Sequence, residues 1–143
     1  MKIRIWSAGA MALALLCFGA LPAQAQLAAA LQYVWGQNLD AYDREDVNGT
    51  MATINTRSPD YTSTKAAIEQ QFKDWDGVKT ELAGFEYIGH DDEFAYARVK
   101  TKTTGQPGSG FANNITDALV IFHQEGANWK VWSEKILGVQ YLS

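Results

Sequence analysis

Four side chains in this sequence are of types that move protons: Tyr42, Tyr96, Asp117 and His123. Asp117 lies in a strand-like stretch and shares a face with Ile115 and Leu119, its neighbours at alternate positions. Burial there would raise its carboxyl pKa and fit it for general acid–base work. A competing reading pairs Asp117 with Arg98 on a neighbouring strand, as an ion pair that only holds structure. The pair is preferred, because structural pairs perturb acids as readily as catalytic arrangements do. His123 falls on the face of Asp117, but six residues along the strand separate them, about 20 Å at roughly 3.3 Å per residue. They cannot touch, and His123 reads as a strand-end surface residue.

Other chemistries find less support. His90-Asp91-Asp92-Glu93 gathers metal-ligating types, but zinc needs three or four ligands converging from fixed positions and calcium a looped set of oxygens. One hairpin tip supplies neither, so a solvated turn is expected and no metal site is assigned. The chain lacks a phosphate-cradling glycine loop with Lys-Ser/Thr and a Gly-x-Ser-x-Gly elbow, and no cofactor is expected. Asn48-Gly49-Thr50 and Asn114-Ile115-Thr116 match the glycosylation sequon, which matters only in a eukaryotic secretory pathway.

The elements that must position these residues fall into two halves. Leu27, Leu31, Val34, Trp35, Leu39 and Tyr42 recur at helical spacing and predict a first helix ending near Asp43. Asp43 or Asp46 opens a shorter helix carrying Val47, Met51 and Ile54, weakened by Gly49. After the Ser58-Pro59-Asp60 turn, a third helix is expected from about Thr64, with Ile68, Phe72 and Trp75 on one face and Gly77 as its stop. Strands follow at Glu81–His90, Phe94–Thr103, Ile115–Gln124 and Trp129–Leu142, the last with a bulge at Gly138. Their connections are too short for crossovers, so the sheet is antiparallel. The expected fold class is α+β, with three N-terminal helices packed on a curved four-stranded antiparallel sheet.

The amino terminus predicts export. Lys2 and Arg4 precede an apolar run, Ala8–Leu21, and Pro22-Ala23-Gln24-Ala25 offers small residues before a cut at Gln26. The run is shorter than the roughly 20 residues that cross a bilayer. Residues 1–25 are therefore read as a cleaved signal peptide and 26–143 as one domain, secreted or periplasmic, with no membrane insertion after cleavage. Cleavage removes Cys17, the sole cysteine, and moves the formal charge from −4 to −6. Thiol chemistry and disulfides are then excluded, and so acidic a chain is a poor partner for nucleic acid.

Three stretches resemble the nuclear transport factor 2-like superfamily, the cone-shaped α+β barrel shared with ketosteroid isomerase and SnoaL-like proteins. They are the aromatic-striped opening helix from Trp35 to Asp43, the long strand Glu93–Thr103 before a glycine-rich loop, and the closing hairpin from Ala118 to Trp132. The resemblance covers Leu27–Leu142 and implies a pocket at the wide end of the cone, between helices and sheet. It implies no single activity, since this fold hosts isomerases, dehydratases, binding modules and assembly domains. Ketosteroid isomerase uses a carboxylate base with a Tyr and a protonated Asp, but none of its local motifs occurs here. The expected function is binding of a small apolar ligand, by Trp35, Tyr42, Tyr96, Arg98, Asp117 and Trp132. The alternatives are proton-transfer catalysis by Asp117 or another pocket carboxylate with Tyr96 or Tyr42, and a dimeric assembly domain. Trp129 and Trp132 fall on opposite faces of one strand, so one turns from the helices, and a homodimer through the sheet is expected.

Overall fold

The computed structural model describes residues 22–143. The basic and apolar parts of the expected signal peptide, and Cys17, lie outside the described residues; the expected cleavage segment lies at their start, where a helix begins at Ala23.

Helix α1 spans Ala23–Asp43 and buries Leu31, Trp35 and Leu39, the centre of the expected stripe. Helix α2 spans Val47–Ala52. Its cap is Asp46, whose carboxylate accepts from the Gly49 amide at 2.8 Å. A Cβ on Gly49 would meet the carboxylate's other oxygen, Oδ2, at 2.3 Å, so the glycine that lowers helix propensity is also what admits the cap. Helix α3 spans Tyr61–Asp74, three residues earlier than periodicity placed its start. The Ser58-Pro59-Asp60 turn leads directly into it, with the Tyr61 amide donating to the Ser58 carbonyl at 3.1 Å. Trp75 is not on the helix face but at its C-cap, in extended conformation, with its ring edge-on to Phe111 at 5.4 Å. Gly77, at φ +68°, makes the turn into the sheet.

Strands β1 (Lys79–His90), β2 (Phe94–Thr104), β3 (Asn114–Glu125) and β4 (Asn128–Tyr141) form one antiparallel sheet in sequence order. The architecture is the expected α+β one: helices first, then a curved four-stranded sheet. Ladder irregularities lie in both outer pairings, near Ala83 and Ile88 in β1 and at Trp132 and Leu137 in β4. Such extra residues bend and twist a sheet. The second β4 bulge thus sits one residue before Gly138, which pairs normally with Asp117.

Alternation along β2 sends Ala95, Ala97 and Val99 to the helices; Val120 and Phe122 of β3 and Val131 of β4 join them on the same face. All six are at most 4% exposed and pack with Leu31, Trp35, Leu39, Met51, Ile54 and Ile68. The segment joining α2 to α3 seals the β4 edge beside this core. The Asn55 amide donates to the Val131 carbonyl, and the Val131 amide to the Thr53 carbonyl, each at 2.8 Å.

Candidate ligand cavity

The inner face of the sheet changes character along its length. Beyond Val99 the helix-facing positions of β2 are Thr101 and Thr103, beside Thr116 of β3 and Thr80 of β1. There the sheet, α1 and α3 enclose an open cavity of about 680 Å³. From α1 come Trp35, Asn38, Leu39 and Tyr42; from the turn before α3 and its first turns come Asp60, Ser63, Thr64, Ala67 and Ile68; Phe111 comes from the β2–β3 loop. The volume lies within the range of small-molecule sites, roughly 300–1,000 Å³.

Glu134 is the group that sets this cavity apart. It pairs across the ladder with Val120, whose side chain is fully buried on the helix side. Glu134 therefore faces inward and lines the cavity. Its carboxyl makes no hydrogen bond or ion pair with any described residue. Solvent reaches it through the cavity, but the surrounding protein displaces enough water to push its pKa up, with desolvation as the sole cause. The inward turn follows from the bulge at Trp132: Val131 is inside and Ser133 opposite Ile121 is outside, so Glu134 comes inside while Lys130 and Lys135 stay outside. Ser58 fastens that bulge, its Oγ donating to the Trp132 carbonyl at 2.6 Å.

Tyr42 and Trp35 take their expected places in the wall. Burial, then the neighbouring charges of Asp43 and Glu45, push the Tyr42 hydroxyl pKa up. The Trp35 indole N–H is buried without an acceptor, which costs about 1–3 kcal/mol. Trp132 contributes to the wall, but its ring packs on Phe94 and His123, at 5.6 and 5.0 Å, on the outer face.

Tyr96, Arg98 and Asp117 do not reach the cavity, a correction to their expected ligand-binding and catalytic roles. Arg98 alternates with inward Ala97 and Val99, and Asp117 with inward Ala118, so both point to the outer face. There the guanidinium grips the carboxylate at 2.9 and 2.7 Å and holds the Asp117 pKa down, the reverse of a buried base. This is the structural pair preferred from the sequence. Tyr96 donates to Asp91 Oδ2 at 2.9 Å, also outside. Asp91 caps the β1–β2 turn by accepting from the Glu93 and Phe94 amides, and His90 meets the Tyr87 hydroxyl. His123 has closer company than a free surface residue: besides Phe94 and Trp132, its ring nitrogen lies 3.4 Å from both Asn55 and Arg57. A second groove, about 850 Å³, runs along the opposite flank of α1 past Tyr33, Gln37, Arg44 and the β3–β4 turn. Its lining carries one carboxyl, Asp40, together with the cations Arg44 and Lys130.

Residues 33–142 match the family described as the C-terminal domain of the anti-sigma-I factor RsgI9. The chain belongs to that family. No curated protein matches the chain in sequence. Among solved structures, an NTF2-like protein of unknown function from Pseudomonas putida superposes with a TM-score of 0.66 at 14% identity, over 78% of this chain and 86% of that one. A cystatin-like-fold protein from Nostoc punctiforme gives 0.63 at 12% identity, over 81% and 92%. Bdellovibrio bacteriovorus Bd1075 gives 0.61 at 11% identity over 79% of this chain, which spans 40% of the length of that protein. This RsgI9 C-terminal-type domain therefore has the nuclear transport factor 2-like fold, as the opening helix and closing hairpin led one to expect.

Proposed function

We propose that this domain binds a small, mostly apolar organic molecule in the cavity between α1, α3 and the sheet. The observation that carries the proposal is the open space of about 680 Å³, walled by aromatic and hydroxyl side chains and by the carboxyls of Glu134 and Asp60. A domain serving only assembly would have no need to keep that space open. The family takes its description from a domain of an anti-sigma factor, a regulator, which accords with binding without turnover. Export through residues 1–25 remains part of the proposal and would place the cavity outside the cytoplasm. Native mass spectrometry of protein purified from its own cell envelope tests the reading. A retained small molecule, lost when Ala67 at the cavity wall is changed to Trp, supports it; identical occupancy in that variant refutes it.

A second reading, proton-transfer catalysis, is favoured by Glu134 alone. A carboxyl whose pKa is raised by desolvation at a cavity wall can exchange a proton with a bound substrate. Tyr42 lines the same cavity but makes no hydrogen bond to Glu134. Glu134→Gln would abolish turnover under this reading.

Self-association through the sheet is also proposed. Leu137, Val139 and Tyr141, 46–70% exposed, lie at the C-terminal end of the edge strand β4, next to Ile136 of the cavity wall. Light scattering coupled to size exclusion checks it, and a monomer at high concentration removes it.

A further inference from the structure

We propose that the molecule this cavity takes is an organic cation, an amine on an apolar body with its ammonium group against Glu134. The inference rests on the ligand-binding reading above and names the chemical class of the ligand.

Charge around the cavity is one-sided. Its ionisable wall residues are Glu134 from β4, Asp60 from the turn before α3 and Tyr42 from α1; among the described residues no Lys, Arg or His lines it. The nearby lysines of the sheet are turned away by register: Lys100 is opposite Asp117, Lys102 opposite Ile115 and Lys135 opposite Leu119, all on the outer face. The N-terminus of α3 adds positive potential at the wall, but its N-cap residue is Asp60, whose carboxylate makes no capping hydrogen bond and adds a second acid there. An anionic ligand would meet two carboxyls and no cation. A neutral ligand would leave Glu134 with the desolvation it already bears. An ammonium group restores to that carboxylate the partner that the fold withholds.

The remaining wall suits the rest of such a ligand. Trp35, Tyr42 and Phe111 present aromatic surface, which attracts cations as well as apolar bodies. Thr80, Thr101 and Thr116 add hydroxyl oxygens that can accept the ammonium protons left over from Glu134.

The test titrates the full chain, following intrinsic tryptophan fluorescence, with three probes of one shape: phenethylamine, phenethyl alcohol and 3-phenylpropionate. The amine is expected to bind at least tenfold more tightly than the alcohol, and the carboxylate more weakly than either. Amine affinity rises with pH as Glu134 ionises, while alcohol affinity stays level. Glu134→Gln brings the amine down to the alcohol without moving the alcohol, and Glu134→Asp retains part of the preference. Thermal unfolding of both variants verifies that they fold. Equal affinity for amine and alcohol, unchanged in Glu134→Gln, overturns the cation inference and leaves cavity binding intact. Failure of all three probes to bind in the millimolar range overturns both.

Discussion

The hydroxyl of Ser58 fastens the bulge beyond which Glu134 faces inward, and its removal should be felt in both stability and binding. Ser58 is 7% exposed. Its Oγ donates to the Trp132 carbonyl at 2.6 Å and accepts from the Asp60 amide at 3.2 Å. Ser58→Ala strips the carbonyl at the bulge of this partner, at about 1–3 kcal/mol, and removes the Asp60 bond, worth about 0.5–1.5 kcal/mol. The expected loss is about 2–4 kcal/mol, from a total stability that for such domains is about 5–15 kcal/mol. With a urea dependence of about 1–3 kcal/mol per molar, the unfolding midpoint should fall by about 1–2 M at unchanged slope. Tryptophan fluorescence during urea titration reads this directly. Thr62→Ala, on the exposed side of α3, is the control and should stay within about 0.5 kcal/mol of the parent. The folded Ser58→Ala protein should also lose part of its preference for phenethylamine, because the bulge that turns Glu134 inward is loosened. A stability change no larger than that of Thr62→Ala would refute the reasoning.

Further outcomes follow from the same geometry. Burial raises the Glu134 pKa above its ordinary 4.5, so the folded chain keeps this proton to higher pH than the unfolded chain. Its contribution to stability is present below pH 4.5 and is lost as pH rises through the folded-state value. Glu134→Gln should therefore match the parent in urea below pH 4.5 and exceed it at neutral pH; an unchanged difference across that window counts against a desolvated Glu134. Phe122→Ala empties a fully buried site between sheet and helices and should cost about 3–5 kcal/mol, measured by the same urea titration. Asp117→Asn breaks the outer-face pair with Arg98 and should leave probe affinity in the cavity unchanged; a weakened affinity would return Asp117 to the site.

Much of the scaffold was legible because it depends on periodicity. The stripe Leu31, Trp35, Leu39 forms the buried side of α1, and the alternation in β2 assigns Ala95, Ala97 and Val99 to the core and Arg98 to the outer face. The preferred Asp117–Arg98 pair follows from that alternation, since facing strands bring the two acids and bases of one face together. Tyr42 and Trp35 reach the cavity for the same reason, being on the helix stripe. Glu134 was not legible. Strict alternation from the inward Val131 would turn Ser133 and Lys135 inward and Glu134 out.

A single extra residue, Trp132, reverses that order. No local pattern in Trp129–Leu142 marks it, because the bulge is held by Ser58, whose hydroxyl lies 74 positions away in sequence. What the sequence by itself determined is the kind and order of the elements, and so the α+β fold, since helical and strand periods are local properties of the chain. What only the tertiary structure decided is which charge enters the cavity. A strand's parity survives only while its ladder is regular, and the contact that interrupts this ladder comes from another part of the fold. The acid that was singled out first, Asp117, is thus tied up outside, and the sheet's acid that enters the cavity is Glu134.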